Sequence, residues 1–298
     1  MRHIIPISGK DSCATAIVQM THRPDLQYEL FFNDVGCKLP ETYEWLDRVE
    51  EVLARPICRV GKSLEKVIYK HGILPSAHVR FCTREAKIEP MEAYIGDDQA
   101  TVYFGICADE QRVGYVPLRA NITPVYPLRD MGLGLPQVYQ ILYKFRLAPP
   151  KFFWKTLYDL VLVRLDRDYQ DGFRITSPPS EILASLPTWA FDSLFAWRSR
   201  SNCYLCFFQR LYEFVGLLEH HPELFERAEE IESELGDDEQ RKPFTWLRDY
   251  PLACIRRNRK VILLRRAVQV VKFLKSHRLD RDPVDELSLT SCGLFCGK

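Results

Sequence analysis

Two sets of residues in this 298-residue chain have types and spacings suited to chemistry: a Gly/Ser loop that begins at Ser8, and ten cysteines, two of them spaced as Cys203-Tyr204-Leu205-Cys206. A short Gly/Ser loop between a buried strand and a helix presents backbone N–H groups to a phosphate, and the helix amino end adds about half a positive charge. Ser8-Gly9-Lys10-Asp11-Ser12 has this composition. Gly9 lets the backbone approach an anion, Ser8 and Ser12 offer hydroxyls, and Lys10 adds charge. The same pentapeptide also suits an ordinary strand-to-helix turn capped by Ser or Asp.

Elements that can position such a loop surround it. Residues 3–7 are a short apolar run, and residues 13–20 have helical composition without Pro or Gly. A second strand is expected at 28–32, followed by a helix over 41–53 with Tyr43, Trp45, Leu46, Val49 and Leu53 at mostly helical spacing. A third strand is expected at 100–106. Strands alternating with helices predict an α/β fold, a Rossmann-like parallel sheet with helices on both faces, whose ligands sit at the carboxyl ends of the strands. Further helices are expected at 136–145, 152–165, 207–219 and 222–234. The expected division is a nucleotide-binding α/β domain over 1–150, an aromatic, Pro-punctuated insertion or linker over 151–200, and a helical region over 201–298.

Composition excludes several classes. Hydrophobic residues at 46%, charged residues at 27% and a formal net charge of +1 belong to an ordinary globular protein with no global pull toward polyanions. No signal-peptide core precedes the Gly/Ser loop, and no apolar stretch is long enough for a membrane span, since residues 261–274 are broken by Arg265, Arg266 and Lys272. The expectation is a cytoplasmic protein with no membrane partner, in which ten cysteines serve metal or sulfur chemistry rather than disulfides.

Four segments in order carry a resemblance to a known family. After the Ser8–Ser12 loop comes Asp34-Val35-Gly36-Cys37-Lys38-Leu39-Pro40-Glu41-Thr42, then Arg80 to Pro90 with Lys87, then Gly105-Ile106-Cys107-Ala108-Asp109-Glu110-Gln111-Arg112. These resemble the Ser-Gly-Gly-x-Asp-Ser, Asp-x-Gly-x-x-x-Pro-Glu-Thr, basic Lys-x-x-Pro and Gly-Ile-Arg-Ala-Asp-Glu-x-x-Arg motifs of the phosphoadenosine phosphosulfate (PAPS) reductase family, in the PP-loop, adenine nucleotide alpha hydrolase-like superfamily. The resemblance implies an adenine nucleotide held by Ser8, Gly9, Lys10, Asp11, Ser12, Asp34, Gly36, Glu41, Thr42, Gly105, Asp109 and Arg112. Asp34 and Asp109 are candidates to orient the nucleotide or Mg2+, and Lys10, Asp11 and Lys87 or Arg84 are candidate catalytic groups. Two departures stand out. Ser8 occupies a position where the family has Gly, and Cys107 replaces an Arg, whose charge Arg112 and Arg119 could supply.

Cys203 and Cys206, followed by Phe207 and Arg210, resemble the Cys-x-x-Cys-Phe-x-x-x-Arg segment of iron-sulfur members. In those relatives a cluster is held by the CxxC and by a cysteine at the segment where Cys82 stands. The resemblance implies a 4Fe-4S cluster on Cys82, Cys203 and Cys206, with Cys292 or Cys296 as fourth ligand, soft thiolates matching iron. Zinc is the competing metal. Cys13, Cys37, Cys58 and Cys254 read as small core residues. Cys292-Gly293-Leu294 also stands where PAPS reductases carry their nucleophilic cysteine.

The final third switches charge. Residues 219–239 carry ten Asp/Glu against one Arg, and 241–281 carry thirteen Lys/Arg against two Asp. Residues 256–275 form a basic amphipathic helix that either lies along a phosphate backbone or docks on the acidic stretch with its basic face solvated. Three functions follow: an ATP-dependent iron-sulfur sulfurtransferase (ATP pyrophosphatase) acting on a nucleic acid, with a cysteine desulfurase as sulfur source; a sulfonucleotide reductase acting on PAPS or adenosine phosphosulfate with Cys292 as nucleophile and a thioredoxin-like donor; and an inert nucleotide-binding scaffold.

Overall fold

Consecutive strands separated by a helix pair in parallel, because a crossover returns the chain in its original direction. In the computed structural model, which describes residues 1–173, 175–236 and 244–276, such strands build one five-stranded sheet. Its strands are β1 (Arg2–Pro6), β2 (Tyr28–Asn33), β3 (Ile57–Val60), β4 (Ala100–Tyr103) and β5 (Ile122–Val125), parallel throughout in the order β3-β2-β1-β4-β5. The helices α1 (Lys10–His22), α2 (Pro40–Leu53), α3 (Leu64–His71), α4 (Phe81–Thr83) and α5 (Glu89–Ile95) lie between β1 and β4, β4 reaches β5 without a helix, and α6 (Pro127–Asp130) and α7 (Leu135–Lys144) follow β5. A π-helical turn, Arg84–Ile88, joins α4 to α5. The expected α/β class is what the chain adopts.

Alternation along the strands divides the core in two. Ile5, Leu30 and Phe32 face Cys13, Ile17, Trp45, Leu46 and Val49, while Ile4, Phe31 and Val102 face Met91, Ile95 and Ile122. The sequence signal is weakest for the two edge strands. β5 contains Pro124, which an edge tolerates because one side of its backbone needs no partner, and β3 has only four residues. The third strand stops at Tyr103 rather than at residue 106, because Gly105 already leaves the sheet for the start of α1.

The chain runs outward from β1 to β3 and then returns to β4, so the strand order reverses between β1 and β4. That reversal opens a crevice between the loops leaving their carboxyl ends, where ligands of such sheets bind. Next to it the backbone is crowded. A Cβ on Gly61 would lie 1.8 Å from the carbonyl oxygen of Asp34, so the exits of β2 and β3 touch backbone to backbone.

Two compact units divide the chain. The first comprises Met1–Pro150 with Arg200–Cys203, and the second Lys151–Ser199 with the described part of Tyr204–Ser291. The second holds α8 (Lys155–Gln170), α9 (Pro179–Ala184), α10 (Thr188–Leu194), α11 (Leu211–His220), α12 (Pro222–Gly236) and α13 (Leu252–Lys275). The helix expected from residue 207 starts at Leu211, since Glu213 accepts the Arg210 amide at 2.9 Å and fixes the first turn there. The Glu213 carboxylate also accepts the Ser199 amide at 2.8 Å.

α13 corrects the reading of a uniformly basic face. Arg266 is 2% exposed, with its guanidinium 4.4 Å from the Tyr212 ring centre, and Arg256 pairs with Glu229 of the acidic α12 at 2.7 Å. Arg257, Arg259, Lys260, Arg265 and Lys272 remain exposed. No helix among the described residues is long and apolar enough to cross a membrane.

The crowding at Gly61 makes a quantitative expectation. Gly61→Ala must displace the β2 exit, and overpacking of this kind costs about 1–3 kcal/mol. Gly72→Ala, at φ 62° but with open space for a methyl group, costs about 1 kcal/mol through its left-handed backbone alone. Urea midpoints of the two variants should rank in that order, and the reverse ranking would contradict the contact.

Candidate functional site

The site begins with the first turn of α1, whose amides have no carbonyl a turn behind them. The Ser12 hydroxyl, expected to face a phosphate, bonds within the loop. The Ser12 hydroxyl accepts the amides of Ser8 at 2.8 Å and Gly9 at 3.2 Å, and donates to the Gly9 carbonyl at 2.9 Å. It folds the loop on itself.

Gly105 closes the other wall. A Cβ there would sit 2.5 Å from the backbone of Asp11 and Ser12, so the loop after β4 lies directly against α1. This contact, rather than a ligand, explains why residue 105 must be glycine. It also brings Cys107 to Asp11, the thiol donating to the carboxylate at 3.3 Å. Asp11 in turn accepts from the Lys10 ammonium at 2.7 Å. Burial works against both charges, yet the Lys10 ammonium holds the Asp11 carboxyl below the usual range, and Asp11, with Tyr139, keeps the Lys10 ammonium above its own. Burial pushes the Cys107 thiol up, and the Asp11 carboxylate pushes it further.

A second pair completes the crevice. Arg112 Nε lies 2.5 Å from Glu110, whose carboxyl burial raises against the pull of Arg112. Arg200, which sequence reasoning did not place in the site, acts on both Asp11 and Glu110. Its segment is held here by Lys38, whose ammonium donates to the Ser201 carbonyl at 2.5 Å, and Ser201 also approaches Gly9. Lys10, Arg112 and Arg200 therefore face two carboxylates, a net positive set at a helix amino end. Arg119 does not replace the charge lost at Cys107. Its guanidinium donates to the carbonyls of Glu92 at 3.1 Å and Gly96 at 2.9 Å, beside the amino end of β4.

Several expected ligand-binding residues have local tasks. Asp34 accepts the Gly36 amide at 2.9 Å and the Tyr43 hydroxyl at 2.7 Å, and Gly36 at φ 68° makes the turn possible. Asp109 accepts the Leu135 amide at 3.1 Å and so caps α7. Glu41 and Thr42 lie in the first turn of α2, after Pro40. Lys87 lies in the π-helical turn, and the neighbouring Arg84 pairs with Glu89 at 3.5 Å and Glu92 at 3.4 Å.

Asn33 at the carboxyl end of β2 is different. It is 5% exposed, and neither its amide nitrogen nor its carbonyl oxygen has a hydrogen-bond partner; the Thr42 hydroxyl, fully buried, also lacks one. Unpaired buried polar groups cost about 1–3 kcal/mol each, so such a pair at a ligand edge is informative. A polar residue ending an apolar strand was the only sequence signal for it.

Among the described residues, ligand atoms of Asp11, Cys107 and Glu110 lie within 4.8 Å of one another. This trio suits no resident hard cation, since one member is a thiol and Lys10 and Arg112 already neutralise both carboxylates. Cys203 is buried, while Cys82 and Cys206 are half-buried; thiolates are the donor type that suits iron or zinc. Cys203 also acts on the buried Cys37 thiol, which burial chiefly raises. Cys292 and Cys296 lie outside the described residues.

Residues 2–115 match the family model for the phosphoadenosine phosphosulfate reductase domain. The crystal structure of phosphoadenylyl-sulfate (PAPS) reductase from Candida auris, in its phosphate complex, is similar to this chain at 18% identity and a TM-score of 0.37, covering 54% of this chain and 78% of that one. No curated protein matches the chain.

The burial of Cys107 makes it a poor nucleophile despite its place in the crevice. In the native protein at pH 8, iodoacetamide should label Cys107 at least tenfold more slowly than the half-buried Cys254, the two rates converging in urea. Equal native rates, read by peptide mass spectrometry, would remove the Asp11–Cys107 contact.

Proposed function

We propose, from the match of residues 2–115 to the phosphoadenosine phosphosulfate reductase domain, that the chain is an enzyme that binds an adenine nucleotide between the loops after β1 and β4 and acts on its phosphate chain. The observation that carries this reading is Asn33. A carboxamide offers donors and an acceptor together, the complement of an adenine edge, and a bound base would satisfy the buried side chain that lacks partners. Lys10, Arg112 and Arg200, with the first-turn amides of α1, would hold the phosphates in this reading, which their charges beside Asp11 and Glu110 support. Mg2+ would enter with the phosphates, since the carboxylates of Asp34 and Asp109 are engaged in local turns.

The more specific reaction we propose is ATP-dependent sulfur transfer to a nucleic acid. An acceptor oxygen attacks the α-phosphorus, pyrophosphate leaves, and sulfur then displaces AMP from the adenylated acceptor. Lys10 and Arg200 would stabilise charge on the transferring group. Cys82, Cys203 and Cys206, with Cys292 or Cys296, would hold a 4Fe-4S cluster, or zinc, in this reading. The cluster, when bound, supplies a thiolate-held site for sulfur delivered by a cysteine desulfurase. The exposed Arg257, Arg259, Lys260, Arg265 and Lys272 of α13 are the candidate contacts to the acceptor backbone.

A second reading is favoured by the family match itself: reduction of a sulfonucleotide such as PAPS. The Cys292 thiolate would attack the sulfonyl sulfur and release the nucleotide, and a thioredoxin-like dithiol would then free sulfite while itself becoming a disulfide. Cys107 speaks against it, because a thiol stands where the resemblance has an arginine for the anionic end group.

Protein reconstituted with iron and sulfide should release pyrophosphate from ATP in the presence of RNA, and Lys10→Gln should lower that rate at least tenfold. Failure of every RNA fraction to stimulate release would remove the sulfurtransferase reading. With PAPS and a thioredoxin-like donor, the reductase reading instead requires sulfite release that Cys292→Ser abolishes while the nucleotide still binds.

A further inference from the structure

A cavity of about 370 Å³ on the first unit lies away from these residues, lined by Lys62, Ser63, Lys66, Val67, Lys70 and Glu85. Its lysine wall follows from the way α3 is seated. Leu64, Val67 and Ile68 are buried, so residues spaced four apart emerge together on the open side, and Lys62, Lys66 and Lys70 are all exposed. Lys66 and Lys70, on α3, are thus separated by about 6 Å along the helix axis, and Lys62 stands just before the N-cap Ser63.

The three ammonium groups are not equally engaged. Lys62 lies 3.3 Å from Glu89 and Lys70 lies 2.8 Å from Glu85, whereas Lys66 has no acidic partner among the described residues. Exposed pairs of this kind contribute little, so the flanking lysines are readily transferred to a stronger anion. Neither glutamate is stranded by the exchange. Glu85 keeps its hydrogen bond with His71 at 2.5 Å, and Glu89 keeps Arg84 at 3.5 Å.

We propose that this groove binds a run of consecutive phosphate groups, at a site separate from the one at α1. A row of compact point charges at one-turn spacing suits repeated phosphates, whereas a single carboxylate is better matched by the planar fork of arginine. The position supports it. Lys62 follows the last residue of β3 by two positions, so the row starts on the same carboxyl edge as the α1 loop. The phosphates can come from a nucleic-acid backbone or from an inorganic polyphosphate.

The test uses the full chain and a variant with Lys62→Gln, Lys66→Gln and Lys70→Gln, all three exposed, alongside the matching Lys→Arg variant. Binding of a fluorescent single-stranded oligonucleotide is measured by anisotropy across a salt series, and binding of tripolyphosphate by calorimetry. For a nucleic-acid backbone, the glutamine variant should bind the oligonucleotide about tenfold more weakly, with a log–log salt slope shallower by about 2, as expected for the loss of three phosphate contacts. For a polyphosphate, only tripolyphosphate affinity should fall. The arginine variant should keep either behaviour. Affinities unchanged in the glutamine variant, or lost equally in both variants, would overturn the site. ATP binding at α1, measured in the same proteins, should be unaffected; its absence from all of them would count against the proposed function and not against the groove.

Discussion

The backbone of Asp11 and Ser12 lies against Gly105 with room for no side chain between them, and the candidate site depends on this contact. It fixes the loop after β4 at the amino end of α1, across the point where the strand order reverses. Cys107 then falls beside Asp11, and Glu110 and Arg112 line the same crevice. A similar backbone approach, Gly61 against Asp34, ties the exits of β2 and β3 together. The carboxyl edge of the sheet is thus assembled from main-chain contacts, with the charged side chains arranged above them.

Those charges are close to balanced. Burying the Lys10–Asp11 pair opposes both ionised forms, and the pair survives because each partner holds the other charged. An arginine at position 107 would add a fourth strong cation to Lys10, Arg112 and Arg200; the thiol there adds only a weak donor. Arg200 restores part of the charge from a distant stretch of sequence, whereas Arg119 holds carbonyls beside the amino end of β4.

Much of this edge was legible in the sequence, because strand-loop-helix transitions leave local signals. The loop at Ser8, the turn at Gly36 and the start of α2 at Pro40 are each defined by residues within a few positions of one another. What local signals do not reveal is which polar group answers which. Asp34, Asp109 and Ser12 look like ligands by type, yet their oxygens meet nearby amides. Asn33, unremarkable as the end of a strand, is the side chain left without a partner. Arg266 looks solvated in a basic helix and is buried against Tyr212, because the aromatic surface that receives it comes from a helix about fifty residues earlier.

The thiols divide by the same physics. Desolvation disfavours a thiolate, so Cys13, pushed up to about 12, together with Cys37 and Cys107, is held as a neutral, poorly reactive group. Cys13 is part of the sheet core and Cys107 is a donor to Asp11, which are structural roles. Cys58, Cys82, Cys206 and Cys254 are half-buried by contrast. Burial of Cys37 next to Cys203 sharpens the division, since one thiol of that neighbourhood is held protonated while the other belongs to the CxxC.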